Sequence, residues 1–213
     1  MEHIEPDRSP AANQMFSADV LLKTIQAIAA AIDAKSLFSR EHSSRVTQLC
    51  VEIGAEMGLP QDSLETLEFA AHIHDIGKIG TPESLLSKMD RLTDDEWTNI
   101  REHPSVGASF LAKIDELAEV ARIIRHHHER MDGFGYPDKL KGHAIPLLSR
   151  ILAAADAFEA MISNRPYRRA MSPADALNEL QANAGEQFDS DVVKAAANVI
   201  ERQYLGVIEK KAA

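Results

Sequence analysis

Three consecutive histidines, His126, His127 and His128, close an amphipathic stretch and run straight into Glu129, Arg130, Met131, Asp132, Gly133, Phe134, Gly135, Tyr136 and Pro137. Imidazoles at a helix end beside a glycine-rich turn are an odd way to finish a core. They are a good way to begin a metal site, because imidazole binds Fe, Mn, Zn and Ni readily. A lone histidine pair is more often a solvated basic cluster, so the rest of the chain has to supply partners on converging faces.

Apolar residues recur at helical rather than alternating spacing, and aromatics make up only 5% of the 213 residues, so the chain reads as all-α. Ser17 is placed to cap a helix with Leu21, Ile25, Ile28 and Ile32 on one face. A second helix from about Ser39 aligns His42, Val46, Leu49, Ile53 and Met57 and ends near Gly58 and Pro60. From about Asp62 a third puts Leu64, Leu67, Ala71 and His74 on one side and His72 on another, with Gly77 as its stop.

Thr93 and Glu96 form a capping box. Pro104 disfavours helix at His103, so the next helix is expected from Ser105 to about Ile114. Leu117, Val120, Ile124 and His127 share a stripe, whereas His126 falls with Glu119 and Arg122 on a polar face, as a solvated bystander. Pro146 opens a helix of small and apolar residues in which Asp156 is the lone charge between Arg150 and Glu159. Ser172 with Pro173 opens another, Gly185 interrupts, and a last helix runs from Asp189 or Ser190 to about Tyr204.

One helical domain, residues 17–204, accounts for these elements, with a polar tail at 1–16 and a short tail at 205–213. The net charge of -10 argues against a binder of nucleic-acid polymers, which need a basic face. The single Cys50 forms no internal disulfide, and no stretch has the length to span a bilayer or the pattern of a signal peptide. A cytoplasmic protein is expected.

His42, His74, His103, His127 and His128 thus lie on inward faces or helix junctions, joined by Asp75 and Asp156. Any one inward histidine is usually a core residue with a hydrogen-bond partner, but seven donors together need a common reason. Seven exceed the four to six ligands of one ion and suit two ions bridged by a carboxylate, with Asp75 the natural bridge. His72, His126, His3 and His143 receive no role.

The motifs HSSRV at His42–Val46, HDIGKIGTPESLLSK at His74–Lys88, HPSVG at His103–Gly107, HHERMDGFGYP at His127–Pro137, SRILAAADAFEAM at Ser149–Met161 and NRPYRRA at Asn164–Ala170 together resemble the HD-GYP family of cyclic di-GMP phosphodiesterases, a branch of the HD metal-dependent phosphohydrolases. HDIGK alone marks only the wider superfamily; HHERMDGFGYP with NRPYR is specific to this branch. The resemblance implies that His42, His74, Asp75 and Asp156 hold one metal and Asp75, His103, His127 and His128 the other. It places catalytic weight on Asp75 and Lys78, with Lys78 on the scissile phosphate or leaving oxygen. Arg165 and Arg168 would meet phosphates, and Gly133, Gly135 and Tyr136 would shape the pocket mouth.

The implied cofactors are two divalent ions, Fe or Mn. The implied reaction is attack of a metal-bridging hydroxide on phosphorus, giving pGpG, with GMP after a second cut as the further product. Some members of the family hold a third metal through a Glu four residues before the first ligand; here Phe38 stands there, so a binuclear site is expected. Two other readings stay open: a hydrolase of another nucleotide, such as a hybrid cyclic dinucleotide, and a weakly active module acting through partners such as diguanylate cyclases or regulatory adaptors.

Overall fold

The computed structural model describes residues 18–34, 42–164 and 169–206. The expectations resting on Ser17, Phe38, Ser39, Arg165, Arg168 and the tail at 1–16 lie outside them. The described residues form ten α-helices and three short 3-10 turns: α1 Ala18–Asp33, α2 His42–Glu56, α3 Gln61–His72, a turn at Ile76–Gly80, α4 Glu83–Leu86, α5 Asp94–Ile100, α6 His103–Leu111, a turn at Asp115–Leu117, α7 Ala118–Arg125, a turn at Gly142–Ala144, α8 Leu147–Ile162, α9 Pro173–Ala182 and α10 Ser190–Tyr204. Among them there is no β-strand, only a single bridge between Ala184 and Phe188. No described helix is long and apolar enough to cross a membrane.

Helix α8 is the axis of the bundle, in contact with α2, α3, α7, α9 and α10. Its small residues let neighbouring backbones approach, with Ala154 and Ala155 fully buried beside Ile151, Leu152 and Phe158. That packing brings the carboxylates of α8 against the start of α2. The boundaries follow local chemistry. Gly58, at a φ of 75°, ends α2 with Gly58 N–H on Ala55 O and Leu59 N–H on Gly54 O, the paired bonds of a Schellman cap. The Thr93–Glu96 capping box forms as expected, Ser172 accepts from Asp175 N–H, and Asp189 caps α10.

Three boundaries differ from expectation, and all three fall at the histidines. Helix α3 stops at His72, so His74 and Asp75 lie in the turn beyond it. Gly77 does not terminate α3; it permits contact, since a Cβ there would lie 1.9 Å from the His103 carbonyl oxygen and 2.6 Å from Gly107 N. Helix α6 starts at His103 rather than Ser105, because Pro104 in its first turn needs no N–H partner. Helix α7 ends at Arg125, so the histidine triplet caps a helix end instead of riding a helical face.

Candidate metal centre

The first-turn and last-turn positions of these helices converge. A helix leaves its last carbonyls without intrahelical partners, and three histidines fill that need in the same way. His74 Nδ1 donates to Ala71 O at 2.7 Å, His103 Nδ1 to Ile100 O at 2.8 Å, and His127 Nδ1 to Ile124 O at 2.6 Å. A carbonyl can only accept, so each ring carries its proton on Nδ1 and presents the Nε2 lone pair to the interior. This is the orientation a metal-ligating imidazole requires. The three rings are 1%, 2% and 0% exposed.

The donors form compact groups. Ligand atoms of His103, His127 and His128 lie within 4.8 Å of one another, as do those of His42, His74 and Asp75, and those of His74, His127 and Asp156. The Asp75 carboxylate spans the groups, with Oδ1 3.3 Å from His103 Nε2 and Oδ2 3.5 Å from His74 Nε2. All seven donors predicted from the sequence are brought together. His74 Nε2 is buried and has no hydrogen-bond partner. An imidazole nitrogen turned inward with no donor to satisfy it fits a metal ion and little else, since buried polar atoms otherwise carry partners.

The electrostatics agree with that fit. Burial lowers the pKa of His103 to about 3 and that of His128 to about 4, and drives that of His127 well down, so these rings are neutral donors at neutral pH. Burial alone would raise the Asp75 carboxyl, but Lys78 and the surrounding imidazoles overcome it and hold Asp75 well below the usual carboxylate range. Asp156 is likewise held low, chiefly by its contact with His42 against the same burial penalty. His42 differs. Burial pulls it down, yet the hydrogen bonds it donates to Asp156 and Glu159 and the charges of Asp156 and Asp75 lift it to about 10. A position between carboxylates that calls so strongly for positive charge is suited to a cation.

His42 sits at the first turn of α2, with Nε2 3.0 Å from Asp156 Oδ1 and Nδ1 hydrogen-bonded to Glu159. Glu159 was not singled out from the sequence. It is 2% exposed, accepts from Arg45 Nε at 2.5 Å and from Ser163 Oγ at 2.7 Å, and sits three residues after Asp156 on α8. That spacing puts both carboxylates on one helix face, which was the available signal. Lys78 pairs with Asp75 Oδ2. His126 is not a solvated bystander: its Nδ1 donates to Arg122 O at 2.8 Å and its Nε2 meets Asp138 Oδ2 at 3.0 Å, because the chain folds back beyond Pro137 and places Asp138 beside Arg125.

The loop after the triplet is built around Glu129, also unmarked in the sequence reading. It is 3% exposed and accepts from Asp138 N–H at 2.7 Å and Leu140 N–H at 3.1 Å. Gly135 crosses so close to it that a Cβ would lie 2.4 Å from Glu129 Cα. Gly133 has a φ of 87°, the left-handed conformation that makes this turn. Tyr136 stacks on His128, ring centroids 4.9 Å apart. A cleft with two lobes opens over the centre: one of about 430 Å³ contains Lys78 and Trp97, the other of about 680 Å³ contains Gly135 and Phe134, and His128, Tyr136 and Asp156 line both. This is room for a ligand of nucleotide size.

Comparison with known proteins agrees with this architecture. The HD domain family model matches residues 26–192. The chain is 38% identical over 175 residues to the cyclic di-GMP phosphodiesterase response regulator RpfG of Xanthomonas campestris, covering 81% of this chain and 46% of that protein. It is 36% identical over 170 residues to the 3'3'-cGAMP-specific phosphodiesterase 1 of Vibrio cholerae, covering 80% of this chain and 39% of that protein. The chain spans less than half the length of either relative. An HDG"Y"P protein of Bdellovibrio bacteriovorus has the same fold, with a TM-score of 0.63 at 19% identity over 86% of this chain and 62% of that one. With an all-helical bundle, convergent helix-end histidines and the matched region in agreement, the chain belongs to the HD domain family and carries the motifs of its HD-GYP branch.

Proposed function

We propose that this chain is a metal-dependent phosphodiesterase that hydrolyses cyclic di-GMP to pGpG. The observation that carries the reading is the pair of donor groups joined by Asp75, with the buried, unpartnered Nε2 of His74 between them. In this reading His42, His74, Asp75 and Asp156 hold one ion, and Asp75, His103, His127 and His128 hold the other, with Fe or Mn suiting the imidazole and carboxylate set. When bound, such a pair lowers the pKa of water and neutralises charge on phosphoryl oxygens.

The chain's own residues do the rest. The Nδ1–carbonyl bonds of His74, His103 and His127 fix ring orientation, and Glu159 does the same for His42. Lys78, at the rim of the smaller lobe beside Asp75, is placed to steady the departing oxygen. Tyr136 and Gly135 shape the wall on which the ring of the substrate rests. Arg165 and Arg168 are assigned to phosphates by the NRPYRRA motif alone. A cytoplasmic enzyme meeting a soluble second messenger fits the charge and helix lengths.

A hybrid cyclic dinucleotide is the second reading, because a similar protein is named for 3'3'-cGAMP. Protein loaded anaerobically with Fe or Mn and offered both nucleotides together distinguishes the two by product chromatography. The proposal predicts pGpG as the first product and faster loss of cyclic di-GMP. Rapid loss of 3'3'-cGAMP with cyclic di-GMP untouched would overturn it.

A further inference from the structure

The larger lobe of the cleft contains more positive charge than shaping a wall requires. Arg130 lines it, but its guanidinium is engaged by Asp132 at 2.6 Å and by Gln187 at 2.6 Å. Arg101 and Lys139 line the same lobe, both exposed, and among the described residues no carboxylate pairs with either. In a chain of net charge -10, where Arg125, Arg130, Arg150 and Lys78 all have carboxylate partners, Arg101 and Lys139 bring two cations without one to the same cavity.

The Arg101 side chain and the Lys139 backbone are held in place. The Arg101 guanidinium lies 5.7 Å from the ring centroid of Trp97 and 5.7 Å from that of Tyr136, within the range of cation–π attraction on each side. Tyr136 in turn stacks on His128, so Arg101 is fixed relative to the metal-binding histidines through one intervening ring. Lys139 has a φ of 55°, a left-handed conformation that a lysine adopts only where its surroundings enforce it. Those surroundings are the Asp138 and Leu140 N–H groups, which donate to the buried Glu129 on either side of it.

We propose that Arg101 and Lys139 form a second anion subsite that takes the non-scissile phosphodiester of a cyclic dinucleotide while the scissile one meets the metal centre. The inference rests on the proposed phosphodiesterase reading. A cyclic dinucleotide carries two phosphodiesters on opposite sides of its ring, so only one can reach the centre, and the lobe sharing His128, Tyr136 and Asp156 with it is the space left for the other. A guanidinium already flanked by two rings loses little freedom when it grips a phosphate. Arg101 is therefore a binding residue for the cyclic substrate.

The test is a comparison of kcat/KM for cyclic di-GMP with that for bis(para-nitrophenyl) phosphate, which has a single phosphodiester and cannot reach the second lobe while it is being cleaved. Arg101→Met is expected to lower the ratio of the two by about 10- to 100-fold, the loss of one charge-assisted contact. Lys139→Ala should lower it less, and Arg101→Lys should retain most of it. These two milder variants carry the test if Arg101→Met does not fold. An unchanged ratio in all three, or equal losses on both substrates, overturns the subsite while leaving the phosphodiesterase reading intact. A wild-type protein that cleaves the simple diester but neither binds nor cleaves a cyclic dinucleotide overturns the substrate reading and the subsite with it.

Discussion

The two halves of the centre are built by different means. In the half formed by His103, His127 and His128, two of the three rings are tied to backbone carbonyls at helix ends and all three are held neutral by burial. In the other half His74 is tied to Ala71 O in the same way, but His42 is oriented by side chains: Asp156 on one nitrogen, and on the other Glu159, itself held by Arg45 and Ser163. A backbone carbonyl cannot be mutated away, whereas a carboxylate can. The first half should therefore tolerate substitutions around it, and the second should be open to disruption from outside the ligand set.

The largest effect is expected where the halves meet. Asp75→Asn removes the charge that reaches both His74 and His103, and should cost at least about a thousandfold in phosphodiester cleavage, several kcal/mol of transition-state stabilisation. Metal analysis of the same variant should show both ions weakened. Loss of only one ion would mean that the halves are independent.

Glu159→Gln sharpens the contrast further. It keeps the side-chain shape but withdraws the charge behind His42, and should weaken one ion by about 10- to 100-fold while the other is unchanged, as read from metal-binding isotherms. Equal weakening of both ions would break the distinction between the halves. At the small end, His126→Ala should retain both ions with less than about a twofold change in rate. It removes only one partner of Asp138, which Arg125 still holds through two bonds of 2.7 Å, and a partly exposed pair of this kind is worth about 0–1 kcal/mol. Thermal melting measured beside the rate separates a small stability loss from a loss of metal.

The sequence made the helical class, the caps at Thr93 and Ser172 and the seven converging donors legible because each leaves a local pattern: periodicity, a cap spacing, or a histidine among apolar residues. The helices before His74 and His127 end sooner than expected because periodicity carries an apolar stripe past the last hydrogen-bonded turn, and the one at His103 starts sooner because Pro104 in a first turn needs no N–H partner. The close approach of Gly77 to the His103 carbonyl, which sets how these ends meet, is packing between distant segments and leaves no local pattern. Glu129 and Glu159 escaped notice for a related reason. A glutamate reads as solvated until the fold shows that one wraps a loop around its oxygens and the other stands behind a histidine. The open charges of Arg101 and Lys139 are invisible along the chain, because having no carboxylate partner is a property of the folded cleft.

The claim that two half-sites share Asp75 is tested most directly by anaerobic Mn(II) titration of the whole chain, followed by electron paramagnetic resonance. The structure's arrangement of donors predicts saturation at two equivalents and a spin-coupled signal from neighbouring ions. Saturation at one equivalent, with the signal of an isolated ion, would contradict it.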